Sequence, residues 1–546
     1  MTKEVQTTRP IISRLAADAK DGRLSRREFI SLASVYGASA ATAYGLLGTA
    51  TPASAQSTTP QRGGVLRLAA NVKPIVDPRV FDWPEMGNLA RQFCEGLVFW
   101  DYDFTFRPML LESWEISDDA RTYVLNVRSG VTWNNGDTFD VDDVIFNITR
   151  WCDRTVEGNS MASRMASLID SETDKIADGV LEKIDDYTLQ LNLPQPDITL
   201  IPGMSDFPAL LVHRNFDTDG ANLADSPIGT GPFELESIEI GIRASVVRRK
   251  DGNWWGGEAY LDGAEFIDYG TDPSTMAAAF ESDEVDANDQ TSSDFIEVLD
   301  SIGLTHKSQA TASTIVLRMN VTQPPFTDKR VRNAVQLGVD NSIVLELAGV
   351  KNGIVAENHH VGPMHPEYVE LPKVSRDPAA AMALMAEAGA QDTEIDLISV
   401  DADWQSVTGD AVAGQLRDAG FKVKRTLLPG ATFWNDWTKY PFSATDWGPR
   451  PLGVQVLALA YRSGEAWNES AFSDPEFDAV LDEAMGIADA EARKVPMQRL
   501  EEILRDSGVI IQPFWRGFSL HHVEKVQGMR RHQTRDIELT SVWLES

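Results

Sequence analysis

The fold is decided by residues 111–150, which read LESWEISDDARTYVLNVRSGVTWNNGDTFDVDDVIFNITR. Apolar and polar residues alternate over 122–127, and the acidic turn 117–119 separates this run from the shorter extended run 114–116, a pattern that predicts a β-hairpin. Asp140 then precedes apolar residues spaced three and four apart, as an N-cap precedes an amphipathic helix. The stretch therefore predicts a hairpin followed by a helix, and it carries no catalytic chemistry.

The same forty residues resemble the signature of the family 5 extracellular solute-binding proteins, the peptide- and nickel-type receptors of bacterial ABC importers. The resemblance continues in IGTGPF at 228–233, NWW at 253–255 and FTDKRVRNA at 326–334, and it spans nearly all of the chain after residue 55. It implies an α/β, two-lobed periplasmic binding protein of the class II type with an additional β-rich subdomain. It also implies a receptor that makes and breaks no bond and needs no cofactor.

Periodicity independently indicates an α/β architecture. Residues 394–400 and 421–428 have the character of strands and flank a helical pattern over 407–419, which together predict a βαβ unit and a parallel sheet. A first strand is expected at 63–68 and a helix at 88–98. The expected division of the chain is 1–55 signal peptide, 56–100 first segment of lobe I, 101–200 β-rich subdomain, 201–312 second segment of lobe I, 313–524 lobe II and 525–546 C-terminal segment of lobe I.

Residues 1–55 have the features of a twin-arginine export signal. SRREFI at 25–30 resembles the twin-arginine motif, 30–47 is largely apolar or small, and Ala-Ser-Ala at 53–55 offers a cleavage site before Gln56. An uncleaved anchor is the alternative, but the segment lacks the roughly 18 strongly apolar residues of a spanning helix. We therefore expect a soluble periplasmic protein.

Cysteine usage and charge narrow the function further. The cysteines, Cys94 and Cys152, leave open either two buried thiols or a disulfide formed in an oxidising compartment. The chain has 49 basic and 82 acidic residues; seven and four of these fall in 1–55, which leaves 42 against 78 and a net charge of −36. Such a charge argues against nucleic acid and anionic lipid as partners.

Sequence motifs of catalysis and metal binding are absent from the chain: it contains no HExxH, CxxC, GxSxG or glycine-rich phosphate loop. His359, His360 and His365 cluster in one segment, but adjacent residues of an extended chain point to opposite sides, which makes the first two poor co-ligands. We expect no metal here. The resemblance instead implies that the loop of His360 lines the ligand cleft.

The segment most informative about the ligand is TDWGPRP at 445–451. It aligns with the GW--D segment with which, as the resemblance implies, peptide receptors receive the α-amine of their ligand on the Asp. Arg450 occupies that Asp position. A guanidinium in a dry cleft prefers a carboxylate, a phosphate or another planar acceptor. The alternative is that Arg450 turns away to an acidic side chain.

Further residues are expected to line the same cleft. Besides Arg450 and His360, the candidate ligand-binding residues are Trp83, Trp404, Trp447, Tyr461, Trp467 and Asn468. The sequence thus predicts a monomeric receptor that captures a peptide-like or carboxylate-bearing small solute and delivers it to an inner-membrane ABC permease with its ATPases. A periplasmic chaperone or signalling protein, and a receptor for nickel or a metal chelate, are the alternatives.

Overall fold

A twelve-stranded mixed sheet forms the centre of the molecule, in a computed structural model that describes residues 10–21, 24, 26–48, 59–351, 353–487 and 490–545. The strands are β1 Val65–Ala69, β2 Val98–Trp100, β3 Phe106–Pro108, β4 Leu111–Ile116, β5 Thr122–Val127, β6 Ile169–Asp170, β7 Lys175–Ile176, β8 Leu181–Asp185, β9 Thr188–Asn192, β10 Phe233–Glu239, β11 Arg243–Arg248, β12 Gly263–Ile267, β13 Ala287–Asn288, β14 Thr305–Met319, β15 Ile354–Val355, β16 Glu394–Val400, β17 Lys422–Leu428, β18 Phe442–Trp447, β19 Ile510–Ile511, β20 Phe514–His522, β21 Val526–Gln527 and β22 Trp543–Leu544.

The helices flank this sheet and a smaller one. They are α1 Pro10–Lys20, α2 Arg26–Val35, α3 Ala40–Leu46, α4 Pro84–Ala90, α5 Val141–Trp151, α6 Met161–Arg164, α7 Leu200–Met204, α8 Pro273–Glu281, α9 Ile296–Ser301, α10 Lys329–Leu337, α11 Asn341–Leu347, α12 Pro378–Glu387, α13 Asp403–Asp418, α14 Gly430–Phe433, α15 Gly453–Tyr461, α16 Pro475–Met485 and α17 Ala490–Ser507.

Two long strands join the two parts of the central sheet. Its order is β10-β11-β12-β1-β13-β20-β14-β18-β16-β17, and β15 pairs with β20 and β19 with β14 outside this path. β20 and β14 thus lie between strands that precede β14 in the chain and strands that follow it. β14 pairs with β20 over its first part and with β18 over its last, and its pairing with β20 shifts register between Ala310 and Ser313. The predicted βαβ unit is confirmed, because β16 and β17 pair in parallel and α13 connects them.

The hairpin and helix predicted from 111–150 are confirmed. β4 pairs with β5, and β5 with β9, in a four-stranded antiparallel sheet of order β4-β5-β9-β8. The side chain of Asp140 accepts from the backbone N–H of Asp142 at 2.9 Å, and Asp143 accepts from the N–H of Asp140 at 3.2 Å, which closes a capping box at the start of α5. The four-stranded sheet accounts for the predicted β-rich part, while the exact domain boundaries stay a prediction.

The helix predicted over 88–98 is wrong in its bounds. α4 ends at Ala90, and residues 91–97 form turns that lead into β2. The helix begins earlier than expected because Pro84 occupies its first position, where the missing N–H costs nothing. Its early end brings the backbone of Phe93 against Gly229 and Gly231, a contact that leaves no room for a Cβ atom at Gly229.

The N-terminal helices pack on the body of the molecule. The Trp114 indole donates to the carbonyl of Val35 at 2.8 Å, and the backbone N–H of Phe106 donates to the Ser34 hydroxyl at 2.9 Å. The predicted cleavage site at 53–56 lies outside the described residues. None of the helices that the structure describes combines the length and apolar character needed to cross a membrane.

Both cysteines are buried free thiols in this structure. Cys94 packs in the apolar core around β1 and β12, whereas Cys152 packs in the core beneath the four-stranded sheet. Of the two possibilities left open by the sequence, the structure shows two thiols without a disulfide.

Candidate ligand-binding cleft

A narrow cleft lies beside the middle of β14 and β20, close to the register shift. It encloses about 110 Å³, less than the roughly 300–1,000 Å³ usual for a small-molecule site. The aromatic and charged residues that line it are Asp82, Trp83, Asp206, Phe207, Trp434, Trp437, Asp446, Trp447, Arg450, Trp467, Arg516, Phe518 and Arg535. This volume is small for an organic ligand, so admitting one requires the walls of the cleft to separate.

Aromatic rings form much of the cleft surface. Trp437, Trp447 and Trp467 contact one another edge to face, with ring centroids 5.7–6.5 Å apart. Trp83, which follows β1 in the chain, meets Trp434, which follows α14, with centroids 4.5 Å apart. These last two rings come from distant parts of the chain, and both line the cleft.

A buried ion pair holds Trp447 in place at the end of β18. The Trp447 indole donates to a carboxylate oxygen of Glu469 at 2.9 Å, and the Thr445 hydroxyl donates to the same group at 2.8 Å. Arg318 pairs with Glu469 at 2.6 Å, and both side chains are at most 4% exposed. These charge-assisted bonds fix the ring before any ligand arrives.

Arg450 lines the cleft and also lies near the acidic side chain of Asp206. Its Nη1 donates to the Pro449 carbonyl at 2.9 Å, and its Nη2 lies 3.4 Å from an Oδ atom of Asp206. Arg164 holds that same oxygen more closely, at 2.6 Å. The Nε of Arg450 is buried and has no hydrogen-bond partner among the described residues.

The carboxylate of Asp206 lies between two guanidinium groups, those of Arg164 and Arg450. Burial alone would raise the pKa of this carboxyl, but Arg164 and then Arg450 outweigh burial and hold the pKa below its ordinary value. Burial lowers the pKa of Arg164 to about 10, which leaves the group charged at neutral pH. One carboxylate therefore serves two guanidinium groups.

Asp446 supplies a carboxylate on the Trp447 side of the cleft. It accepts a long hydrogen bond of 3.4 Å from Gln405, its one hydrogen-bond partner among the described residues. Burial raises the pKa of Asp446, and the nearby Arg516 offsets part of this effect. The Arg516 guanidinium itself lies over the ring of Trp404, 3.9 Å from the centroid.

The sequence-predicted residues divide into two groups. Those that line the cleft are Trp83, Trp447, Arg450 and Trp467. The others, Trp404, Tyr461, Asn468 and His360, lie outside its described lining. Whether any of the eight contacts a ligand stays a prediction.

Three residues of the second group, His360, Tyr461 and Asn468, pack behind the surface of the cleft. The rings of His360 and Tyr461 are joined by a 2.8 Å hydrogen bond beneath Trp447. Asn468 donates to the carbonyls of Arg462 and Phe472 and so closes a loop. His359 lies towards Glu357 and Glu501, whereas His360 meets Tyr461, so the two adjacent rings have different surroundings.

Several lining residues were missed by sequence reasoning. Asp446 adjoins Trp447, and Trp434 and Trp437 lie in the aromatic-rich run FWNDW at 433–437. The sequence therefore offered a signal for each of these three residues. Asp206 and Arg516 carried none, because only the folded chain brings these distant residues to the cleft.

Comparison with known proteins identifies the family. The profile of the bacterial extracellular solute-binding proteins, family 5 Middle, matches residues 105–469. The chain belongs to this family. It is accordingly a solute-binding receptor of ABC transport and not an enzyme.

Two relatives align with about two thirds or more of this chain. The dipeptide-binding protein DppE of Bacillus subtilis is 23% identical over 489 residues, which cover 84% of this chain and 87% of DppE. The di/tripeptide-binding protein 1 of Pseudomonas aeruginosa is 28% identical over 382 residues, 66% of this chain and 64% of that protein.

Solved structures confirm the two-lobed α/β fold. The PBP AgaA from A. tumefaciens R10 in complex with agropinic acid superposes with a TM-score of 0.78 at 20% identity, covering 88% of this chain and 99% of AgaA. OppA of Haemophilus influenzae, in complex with RPPGFSPFR, gives 0.79 at 19% identity, covering 89% and 99%.

Proposed function

We propose that this receptor binds a small organic solute that carries a free carboxylate and a protonated amine, such as a short peptide or an opine-like conjugate. The observation that carries the proposal is the single carboxylate of Asp206 shared by Arg164 and Arg450. A ligand carboxylate would balance the second guanidinium, and its planar shape suits the donors of an arginine. The unpartnered Nε of Arg450 is a donor available to it.

Asp446 is the counterpart for the amine. Its carboxylate is half-buried and has an amide, not a cation, as hydrogen-bond partner. An ammonium group beside it would favour the charged form that burial disfavours. The cleft therefore offers separate partners for the two ends of a zwitterion.

The tryptophans suit the middle of such a ligand. Trp437, Trp447 and Trp467 present apolar surface and ring faces between the charged groups, a combination typical of small-molecule sites. A ligand held by both walls favours the closed arrangement, because it binds that state more tightly than the open one. The names of the relatives support the same chemistry: two bind di- or tripeptides, and AgaA holds agropinic acid.

A thermal-shift screen tests the proposal. The panel contains dipeptides, the same dipeptides amidated at the C-terminus or acetylated at the N-terminus, and opine-type acids. A ligand at 100 times its dissociation constant adds about 2.7 kcal/mol to the free energy of unfolding. Compounds with both charges should raise the melting temperature; equal shifts from the amidated or acetylated forms would contradict the proposed charge pattern.

We further propose that residues 1–55 direct export by the twin-arginine route and are then removed. The mature receptor acts as a monomer in the periplasm, where its closed form docks on an inner-membrane permease that works with two ATPases. SRREFI at 25–30 supports the export route. Replacing both arginines, Arg26→Lys with Arg27→Lys, should leave the unprocessed precursor in the cytoplasm; normal export of this variant would contradict the route.

A further inference from the structure

Three side chains with metal-binding atoms meet at one end of the two central strands. His306 of β14 and His521 of β20 are direct partners in the antiparallel pairing, and Asp300 lies on α9 beside them. An Oδ atom of Asp300 lies 3.0 Å from Nε2 of His521 and 3.8 Å from Nδ1 of His306. One ligand atom from each residue falls within 4.8 Å of the other two.

Hydroxyl groups orient both imidazoles. Nδ1 of His521 hydrogen-bonds the Thr291 hydroxyl at 2.8 Å, and Nε2 of His306 hydrogen-bonds the Ser519 hydroxyl at 3.0 Å. Each ring is thus held through its outer nitrogen while its inner nitrogen faces Asp300. Metal-ligating histidines are characteristically oriented in this way by partners on the second nitrogen.

We propose that His306, His521 and Asp300 bind one divalent transition-metal ion of the Zn²⁺ type, with water as the fourth ligand. Two imidazoles and one carboxylate suit Zn²⁺ and its neighbours in the first transition row, whereas Mg²⁺ and Ca²⁺ take oxygen ligands. Tetrahedral ligands at about 2.0–2.1 Å from zinc lie roughly 3.3 Å apart. The distances of 3.0 and 3.8 Å to Asp300 bracket that separation.

A small rearrangement completes the site. The two rings stack with centroids 4.6 Å apart and planes within 8°, so one ring must turn before both can point at a single ion. His306 is the ring that turns, because it is 28% exposed whereas His521 is fully buried. Asp300, at 46% exposed, opens the site to ions from solvent.

Proton positions are compatible with binding. A carboxylate only accepts hydrogen bonds, so Nε2 of His521 carries the proton that it donates to Asp300. The ion takes the place of this proton, while Nδ1 becomes protonated and donates to Thr291. None of the three proposed ligands lines the solute cleft among the residues described there.

Calorimetric titration of ZnCl₂ into the untagged, chelator-treated protein tests the site. One equivalent of zinc should bind. His306→Gln and Asp300→Asn should each weaken that binding by about 10–100-fold or more, and Ser519→Ala by about tenfold, by analogy with the loss of outer partners at known sites. Circular dichroism of each variant separates lost binding from lost folding.

His522→Gln is the matched control. His522 adjoins His521 on β20, but its Nδ1 turns to the Val523 carbonyl, so this variant should bind zinc as the parent does. The inference fails if the parent binds no zinc, or if His306→Gln and Asp300→Asn bind it as tightly as the parent, since the ion would then sit on other groups.

Discussion

Arg450 reaches the carboxylate of Asp206 at 3.4 Å, while Arg164 holds the same carboxylate at 2.6 Å. The two arginines therefore depend on Asp206 to different extents. Arg164 keeps a close partner without Arg450, and Arg450 keeps hydrogen bonds to the Gly448 and Pro449 carbonyls. Asp206 is the group on which both buried charges depend.

Stability should reflect this asymmetry. Asp206→Asn leaves two buried guanidinium groups without a countercharge and should lower the free energy of unfolding by about 3–5 kcal/mol. Arg450→Met should cost much less, because Asp206 retains Arg164. Urea unfolding measures both. Equal losses from the two variants would show that the Arg450 contact is as important for folding as the Arg164 contact.

The support beneath Trp447 gives a second prediction. Glu469→Gln leaves Arg318 buried without a countercharge, so the free energy of unfolding should fall by about 3–5 kcal/mol. The variant should also weaken ligand binding, because Trp447 loses a fixed acceptor for its indole. Urea unfolding and calorimetry report the two effects. Unchanged stability would mean that the pair is not buried in solution.

Local patterns predicted the elements of this fold well, and contacts distant in sequence explain what they missed. The cap at Asp140 and the alternation over 122–127 act within a few residues, so α5 and β5 were predictable. The early end of α4 brings the backbone of Phe93 against Gly229, more than a hundred residues away, and no local pattern indicates that contact.

The residues of the cleft show the same division between local sequence signals and contacts distant in sequence. Trp447 and Arg450 share one short segment that the family resemblance marks. Asp206 comes from a segment more than 200 residues earlier in the chain, and nothing in the sequence around it indicates its role. The Tyr461 hydroxyl bonds to His360 behind the wall, because a tyrosine in a core needs a partner for its hydroxyl, and its contact with a ligand stays a prediction.

The pH dependence of stability gives a third prediction. Burial raises the pKa of Glu501 to about 9, compared with about 4.3 in an unfolded chain. Between these values the folded protein keeps a proton that the unfolded chain has lost, so stability should fall as pH rises through this window, by at most about 1.4 kcal/mol per pH unit from this group.

Glu501→Gln should remove that part of the slope and make the protein more stable than the parent at pH 8. Glu502→Gln, the same substitution at the half-buried neighbour, provides the control. Denaturant unfolding at a series of pH values measures all three proteins. Parallel curves for the parent and Glu501→Gln would contradict the raised pKa.

Removal of residues 1–55 should change the environment of Trp114. In the complete chain its indole donates to Val35, and α2 covers the neighbouring apolar surface. The chain that begins at Gln56 should therefore show red-shifted tryptophan emission and stronger binding of a hydrophobic dye. Trp114→Phe in the shortened chain should reduce the red shift. Identical emission from the two chain lengths would mean that the segment does not pack there in solution.

The most direct test of the central claim is calorimetry with one dipeptide in two forms, free at its C-terminus and amidated, against the parent and Arg450→Met. The surface variant Arg330→Met serves as control, since Arg330 pairs with Asp328 at the exterior. The parent and the control should prefer the free acid by at least about tenfold, or 1.4 kcal/mol, and Arg450→Met should lose this preference. An Arg450→Met protein that still prefers the free acid by the same factor would contradict the central claim.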